Sequence, residues 1–515
     1  MKSVFLLSLL LLFAPSCGRE EKSAPPAPHQ TAGDRPDRPT GDPDLAELVE
    51  GNCGSCHLRP DPAELPRGIW DSVVFPRMGY FVGIYPADVS RASLLGDAPA
   101  ERMRLETANV FPPTPKIDPA DWQRIKDYYL SSAPLRLPPT AFKAEETASG
   151  FRVRYPAVFL SPPSTSWVRI LPEGGLAMAD INKAQLLTFD RTLAAVGTVA
   201  TGRGLTDLAE NGPAAYGVTI GSFSPTEEGT GQLLHFTPRG QTVLADGLQR
   251  PTSLVLLENG LPGPPEIVVT EFGKWTGRVS RWTPGADGRY KATTLSPRSG
   301  ALAVVADTAA QVPTVYVLFG QGKEEIIRYR FTAAGVEQER VLAFPAAYGS
   351  SSLQLVDWNG DAFPDILYTN GDNADYVAPV KPYHGIRIYT GDAAGHFSEA
   401  VFLPFPGAYG AAVADFNQDG RQDIAAISFF PDYTETSEAG AVLFEAQASG
   451  TFLARRLPGG DRGRFMVLDA GDFDGDGDAD LVAGCLALEA VPDKNRMANW
   501  LRQGLPFVLW ENLVR

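Results

Sequence analysis

A strand-like signature that ends in an aromatic residue recurs seven times after about residue 150. The aromatic residues are Phe189, Phe236, Trp282, Tyr329, Tyr389, Phe444 and Trp510. The first three spacings between them are 47, 46 and 47 residues, and the later three are 60, 55 and 66. Repeats near 45 residues that hold several short strands fit the four-stranded blades of a propeller. The sequence therefore predicts an all-β, seven-bladed β-propeller over residues 150–515.

Closure of this ring and its binding loops follow from the same repeat. We expect a strand near Phe151–Tyr155 to join the last blade, because closure removes exposed sheet edges. The long spacings place insertions at about 370–384, 430–439 and 486–505. Since propeller loops usually carry binding functions, we expect a partner protein or a small-molecule ligand there, although packing of the loops on themselves is an equal alternative.

The segment Cys53-Gly54-Ser55-Cys56-His57 has the pattern C-x-x-C-H, which is a covalent attachment site for haem c. Two cysteines three positions apart can hold one edge of a porphyrin, and the histidine can bind iron. The chain would then be a redox carrier whose chemistry belongs to its cofactor. A disulfide, a redox C-x-x-C or half of a zinc site is the alternative, but only four cysteines exist and no second pair could complete a zinc site.

Helical patterns flank this motif and predict a small all-α unit over residues 43–136. Leu45, Leu48 and Val49 have helical spacing before it, and a second amphipathic helix is predicted to start at Asp118-Pro119. One helix before the motif and one at the end resemble the crossing terminal helices of small c-type cytochromes. The resemblance implies a cytochrome c-like haem domain in front of the propeller.

Class I cytochromes usually supply a methionine as the second axial ligand, which leaves Met78 and Met103 as candidates in this unit. We expect Pro76 to end a helix and Gly79 to loosen the chain, so that Met78 is presented from a turn. The segment that ends in Met78 resembles the W-x-x-x-V-x-P-x-M motif of cytochrome-bearing propeller proteins, and it makes Met78 the first choice. Met103, on a charged helix face, is the second, and core packing is the alternative for both.

Three predicted blades contain a nine-residue acidic loop with oxygen-bearing residues at positions one, three, five and nine. These residues are Asp357, Asn359, Asp361 and Asp365; Asp415, Asn417, Asp419 and Asp423; and Asp472, Asp474, Asp476 and Asp480. Alternating oxygens and a glycine at position six suit a hard cation such as Ca²⁺. The loops resemble the FG-GAP/VCBS repeats of integrin α-type propellers, which implies that these residues bind calcium. An acidic turn without metal is the alternative. The first loop is the weakest, because Ala362 should resist a positive φ at position six.

The N-terminus predicts export. Met1-Lys2 and the ten-residue run Val4–Phe13, which is apolar except for Ser8, form a signal sequence too short to span a bilayer. The segment that ends in Cys17 resembles a bacterial lipobox, although Ala14 stands where leucine is commonest, and it implies cleavage and lipidation at Cys17. Residues 1–17 would be the lipoprotein signal peptide and 18–42 a flexible tether. We expect a lipid-anchored protein of the bacterial cell envelope, facing the periplasm or at the cell surface; ordinary signal cleavage is the alternative.

A formal net charge of −16 and a pI of about 4.9 exclude nucleic acid as a partner. Together these features predict electron transfer by a haem protein whose calcium-binding propeller serves as a platform. A propeller dehydrogenase that passes electrons to its own haem is one alternative. A carbohydrate- or protein-binding propeller with an accessory haem is another. We expect a carrier rather than a catalyst, since the propeller histidines have no evident nucleophile or acid beside them.

Overall fold

The computed structural model describes residues 43–55, 57–144, 146–257, 263–373, 379–433, 438–487 and 494–514. The predicted signal peptide, the tether, Cys17 and Cys56 lie outside these residues. Among the helices of the described residues, none is both long enough and apolar enough to cross a bilayer.

The first described residues form a helical segment, residues 43–132, built around its own apolar cluster. Its elements are α1 (Pro43–Cys53), a 3₁₀ turn (Pro62–Glu64), α2 (Arg67–Ile69), a π-helical turn (Trp70–Val74), α3 (Phe75–Phe81), α4 (Arg91–Leu94), α5 (Pro99–Thr107) and α6 (Pro119–Ser132). Helices α1 and α6 pack together, with Val49 and Ile125 fully buried between them. The predicted start of α6 is confirmed, because the side chain of Asp118 caps it by accepting a bond from the Ala120 N–H at 2.7 Å.

Met78 lies inside a helix, so the expectation that it is presented from a turn was wrong. The helical conformation continues through the π turn, in which the N–H of Phe75 bonds to the carbonyl of Trp70. Pro76 is the second residue of α3 and lies inside this continuous helical run. The wider π turn relieves the clash that a proline ring makes in a regular helix.

Seven four-stranded antiparallel sheets follow and form the blades of a propeller. Two strands precede them, β1 (Glu146–Thr147) and β2 (Phe151–Arg154). Blades 1 to 3 contain β3 (Thr165–Ile170), β4 (Leu176–Asp180), β5 (Gln185–Phe189), β6 (Ala195–Ala200), β7 (Leu205–Asn211), β8 (Ala214–Thr219), β9 (Gly231–Thr237), β10 (Gly240–Leu248), β11 (Pro251–Leu257), β12 (Glu266–Glu271), β13 (Arg278–Pro284) and β14 (Tyr290–Ser296).

Blades 4 to 7 complete the ring. They contain β15 (Ala301–Ala306), β16 (Thr314–Phe319), β17 (Glu325–Thr332), β18 (Gly335–Ala343), β19 (Ser350–Val356), β20 (Asp365–Asn370), β21 (Gly385–Gly391), β22 (Phe397–Pro404), β23 (Ala408–Ala414), β24 (Asp423–Ser428), β25 (Ala441–Ala446), β26 (Phe452–Arg456), β27 (Phe465–Gly471), β28 (Asp480–Cys485), α7 (Lys494–Gln503) and β29 (Phe507–Asn512). The predicted closure is confirmed, because β2 pairs with β29 as the outermost strand of blade 7. Strand β1 adds in parallel to the edge of blade 6.

The burial of a strand depends on its position within the blade. Second strands such as β16, β20, β24 and β28 are buried on both faces, since sheets pack on either side of them. Outer strands such as β6 and β10 are largely exposed. All seven aromatic residues of the repeat signature lie on the third strand of their blade, as the regular period requires.

The antiparallel order gives the propeller two faces with different loops. One face carries the loops from the first to the second strand, and these include all three acidic loops; we call it the acidic face. The opposite face carries the loops from the second to the third strand, which include the three predicted insertions. The helical segment packs on this second face, which we call the helical face.

Candidate functional sites

The cysteine–histidine motif begins at Cys53, which is the last residue of α1. Burial raises the pKa of the Cys53 thiol to about 11, against a smaller lowering by the Tyr129 hydroxyl. The half-buried His57 ring places Nδ1 2.7 Å from the carbonyl oxygen of Leu58. Because a carbonyl only accepts, Nδ1 carries the proton and Nε2 keeps its lone pair, which is the tautomer that a metal ligand needs.

The electrostatic surroundings of His57 favour the neutral ring. Burial lowers its pKa, the Leu58 carbonyl raises it, and the charge of Lys323 lowers it again. Lys323 belongs to the propeller, in the loop from β16 to β17 on the helical face. The motif therefore lies next to blade 4.

The two candidate methionines differ in their surroundings. Met78 packs against the apolar cluster that also holds Cys53, and against a second cluster that includes Trp275. Met103 is 66% exposed on α5. The structure thus brings Met78, and not Met103, into the apolar core around the motif.

Several contacts fix the helical segment to the propeller. The hydroxyl of Tyr383 donates to the carbonyl oxygen of Glu64 at 2.9 Å, in the stretch just after the motif. Trp275 of blade 3 is only 3% exposed, and its ring centroid lies 5.6 Å from that of Phe81 and 5.3 Å from that of Phe111. These contacts place the motif between its own helices and the helical face.

The residues around the motif fit a haem. Arg59 has a buried Nη1 with no hydrogen-bond partner among the described residues, while its Nε lies 3.1 Å from Glu50 Oε2. A haem has two anionic propionates that need such donors. Glu64 also has a buried carboxylate oxygen without a partner among the described residues, and burial raises its pKa to about 8. Buried polar atoms without partners in an otherwise apolar site indicate that the site binds a group with both polar and apolar parts.

The three acidic loops share one backbone shape. Positions four and six have a positive φ in each loop: Gly360 74° and Ala362 66°, Gln418 55° and Gly420 85°, and Gly475 85° and Gly477 94°. Ala362 adopts this conformation in spite of its side chain, so the expectation that it would keep the loop out of this shape was wrong. Both oxygens of Asp357 accept loop N–H groups, from Gly360 at 2.9 Å and Ala362 at 3.3 Å, and these bonds hold the strained residue in place.

The blade-7 loop brings its carboxylates closest together. Oxygens of Asp472, Asp474 and Asp476 all lie within 4.8 Å of one another, the one such group of three among the described residues. Asp480 is fully buried and accepts backbone bonds from Phe473 and Asn512, both at 2.7 Å. A carboxylate has about four lone-pair sites, so these bonds leave Asp480 able to bind a cation as well. Burial and the neighbouring carboxylates raise its pKa to about 6.

The other two loops hold their acidic groups differently. In blade 6 the guanidinium of Arg421 forms an ion pair with Asp419. In blade 5 the amide of Asn359 donates to Asp361 at 2.8 Å. Sequence reasoning also missed Asp478, a buried carboxylate at position seven of the blade-7 loop, and Arg59, although both stand beside the residues that it named.

The propeller histidines have structural surroundings. His235 stacks on Tyr216 with ring centroids 4.6 Å apart. His384 is buried, which lowers its pKa well below the ordinary value. Nδ1 of His396 lies 3.4 Å from Asp392 in an exposed turn.

The sequence matches no protein-family model and no curated protein. Three solved structures illustrate what the fold is similar to. A streptogramin B lyase is 11% identical, with a TM-score of 0.45, over 70% of this chain and 98% of its own. Virginiamycin B lyase from Staphylococcus aureus is 11% identical, with a TM-score of 0.44, over 71% and 100%. The periplasmic gluconolactonase of Pseudomonas aeruginosa is 12% identical, with a TM-score of 0.40, over 57% and 85%.

Proposed function

We propose that this protein is an electron carrier with one covalent haem c. Cys53 and Cys56 would hold the porphyrin, and His57 and Met78 would bind its iron. The observation that carries the proposal is the bond from His57 Nδ1 to the Leu58 carbonyl, which leaves Nε2 free to bind a metal. When bound, the haem supplies reversible one-electron chemistry.

The chain's own residues orient and shield this group. Arg59 offers a buried donor to a propionate, and the apolar cluster around Cys53 and Met78 excludes water. The propeller serves as the platform for a redox partner protein or a small-molecule ligand. The blade-5 insertion contacts the helical segment through Tyr383, so a partner bound at that loop would be next to the haem.

Calcium bound in the acidic loops stiffens the propeller in this proposal. The shared backbone shape of the three loops and the close carboxylates of blade 7 support it. Lipidation at Cys17 and the tether of residues 18–42 would hold the protein in the cell envelope, with the lipid as its sole contact with the membrane.

The haem is tested by making the full chain in a bacterial host that matures c-type cytochromes. We expect a covalent haem in a denaturing gel and a mass that shows both thioethers. Changing Cys53 and Cys56 to alanine should abolish the haem, whereas Cys485→Ala, a buried cysteine of blade 7, should leave it in place. A wild-type protein with both motif sulfurs unmodified would refute the proposal.

Substrate oxidation separates the carrier from an enzyme. The oxidised protein is mixed with sugars, alcohols and aldehydes while the haem spectrum is followed. A carrier is reduced by chemical reductants and not by these compounds. Reduction by one of them would assign the protein to the dehydrogenases. A haem-free protein with affinity for glycans would assign it to the binding propellers.

A further inference from the structure

Asp478 is a buried carboxylate at position seven of the blade-7 loop. It is only 8% exposed, and among the described residues no N–H or hydroxyl group donates to either of its oxygens. Its own N–H bonds to Asp476 at 3.3 Å, and the charges of Asp476, Asp480 and Asp474 all act on it. A buried carboxylate in such company is unfavourable unless a cation accompanies it.

Position seven differs in the other two loops. Blade 6 has Arg421, whose guanidinium pairs with Asp419 and also donates through Nε to the Ala446 carbonyl at 3.0 Å. Blade 5 has Phe363, an exposed apolar side chain. The blade-7 loop therefore offers a fifth carboxylate, the blade-6 loop provides a positively charged side chain of its own, and the blade-5 loop provides neither.

We propose that the residue at position seven sets the calcium affinity of each loop, with Asp478 as a further ligand that makes blade 7 the tightest site. Arg421 weakens the blade-6 site, because an incoming cation must displace it from Asp419. Calcium takes six to eight oxygen ligands, so a fifth carboxylate can be accommodated. This inference rests on the proposed calcium binding and adds an order of affinities to it.

Calorimetric titration of the chelator-treated full chain with CaCl₂ tests the order. Asp478→Asn should weaken the tightest site at least about tenfold, and Arg421→Gln should strengthen a weaker site severalfold. Asp287→Asn, an exposed residue of a blade-3 turn, makes the same change of charge and should alter the affinities less than about twofold.

Thermal unfolding gives a second readout. Without calcium, Asp478→Asn should raise the unfolding midpoint, because it removes a buried carboxyl group from the repulsion of its acidic neighbours. With calcium, the same variant should unfold below wild type, because it lacks a ligand. A residue with a merely structural role would shift both midpoints in the same direction, and that result would overturn the assignment.

The outcomes distinguish a failure of this inference from a failure of the proposed calcium binding. Equal calcium affinities of Asp478→Asn and Asp287→Asn would overturn the inference while leaving calcium binding intact. Asp472→Asn should abolish the tightest site, and its persistence would show that the tight ion is not in blade 7. A wild-type chain that binds no calcium would overturn both.

Discussion

At the scale of single residues, the two methionines of the helical segment give a matched pair. We expect Met78→Ala to keep the haem, because the bonds to Cys53 and Cys56 hold it. The variant should lose the weak near-infrared band that reports a methionine sulfur bound to iron. Its reduction potential should fall, since methionine ligation raises the potential. Met103→Ala should change neither property, because that side chain is 66% exposed. The opposite pattern would make Met103 the ligand.

Ala362 is a second single-residue case. A left-handed alanine costs roughly 1–2 kcal/mol, and glycine avoids this cost but loses about 0.5–1 kcal/mol in chain entropy. Ala362→Gly should therefore stabilise the propeller by about 0.5–1 kcal/mol, seen as a rise of about 1 °C in the unfolding midpoint. Ala195→Gly, in the exposed strand β6, should lower the midpoint instead. Equal shifts in the two variants would contradict the assignment of strain.

At the scale of elements, Trp275 couples the helical segment to blade 3. Truncating a buried tryptophan costs about 3–5 kcal/mol. We expect Trp275→Ala to speed amide exchange in residues 75–111, which contain its partners Phe81 and Phe111.

Trp282→Ala is the control for this coupling. Trp282 is buried in β13 of the same blade, within the core between blades 2 and 3. Its loss should destabilise the blade and leave exchange in residues 75–111 unchanged. If the two variants gave the same exchange pattern, Trp275 would have no special part in the docking.

The propeller could be predicted from the sequence because each blade repeats a local pattern. An aromatic residue recurs on each third strand, so the third strands could be placed, and closure of the ring then called for the added strand β2. The contacts across the helical face could not be predicted. Lys323 acts on His57 from a distance of more than 250 residues in sequence, and no local period encodes that pairing. Met78 was misplaced for a related reason: the π turn that accommodates Pro76 leaves no simple signature.

At the scale of the whole molecule, the two proposed sites lie on opposite faces of the propeller. The motif lies at the helical face and the acidic loops at the acidic face, as the strand order requires. Removing calcium should therefore lower the unfolding midpoint while leaving the haem spectrum and the reduction potential as they were. A shift in potential on chelation would show that the two faces are coupled.

The stability of the calcium-free propeller should fall as the pH rises, because buried carboxyl groups hold protons in the folded state. Burial and neighbouring carboxylates raise the pKa of Asp478 to about 7 and that of Asp480 to about 6. The calcium-free fold thus holds protons that the unfolded chain releases above about pH 4, so its stability falls as the pH rises from about 4 to 7. Glu324, buried on the helical face with a pKa raised to about 7, adds the same trend whether or not calcium is present.

Calcium should reverse the contribution of the loops, because it binds the deprotonated carboxylates. The rise in midpoint on adding calcium should be small at pH 5 and larger at pH 7.5, and the term from Glu324 cancels in this difference. Scanning calorimetry at both values, with chelator and with calcium, measures it. A rise of equal size at the two pH values would mean that the buried carboxylates of blade 7 do not meet the ion.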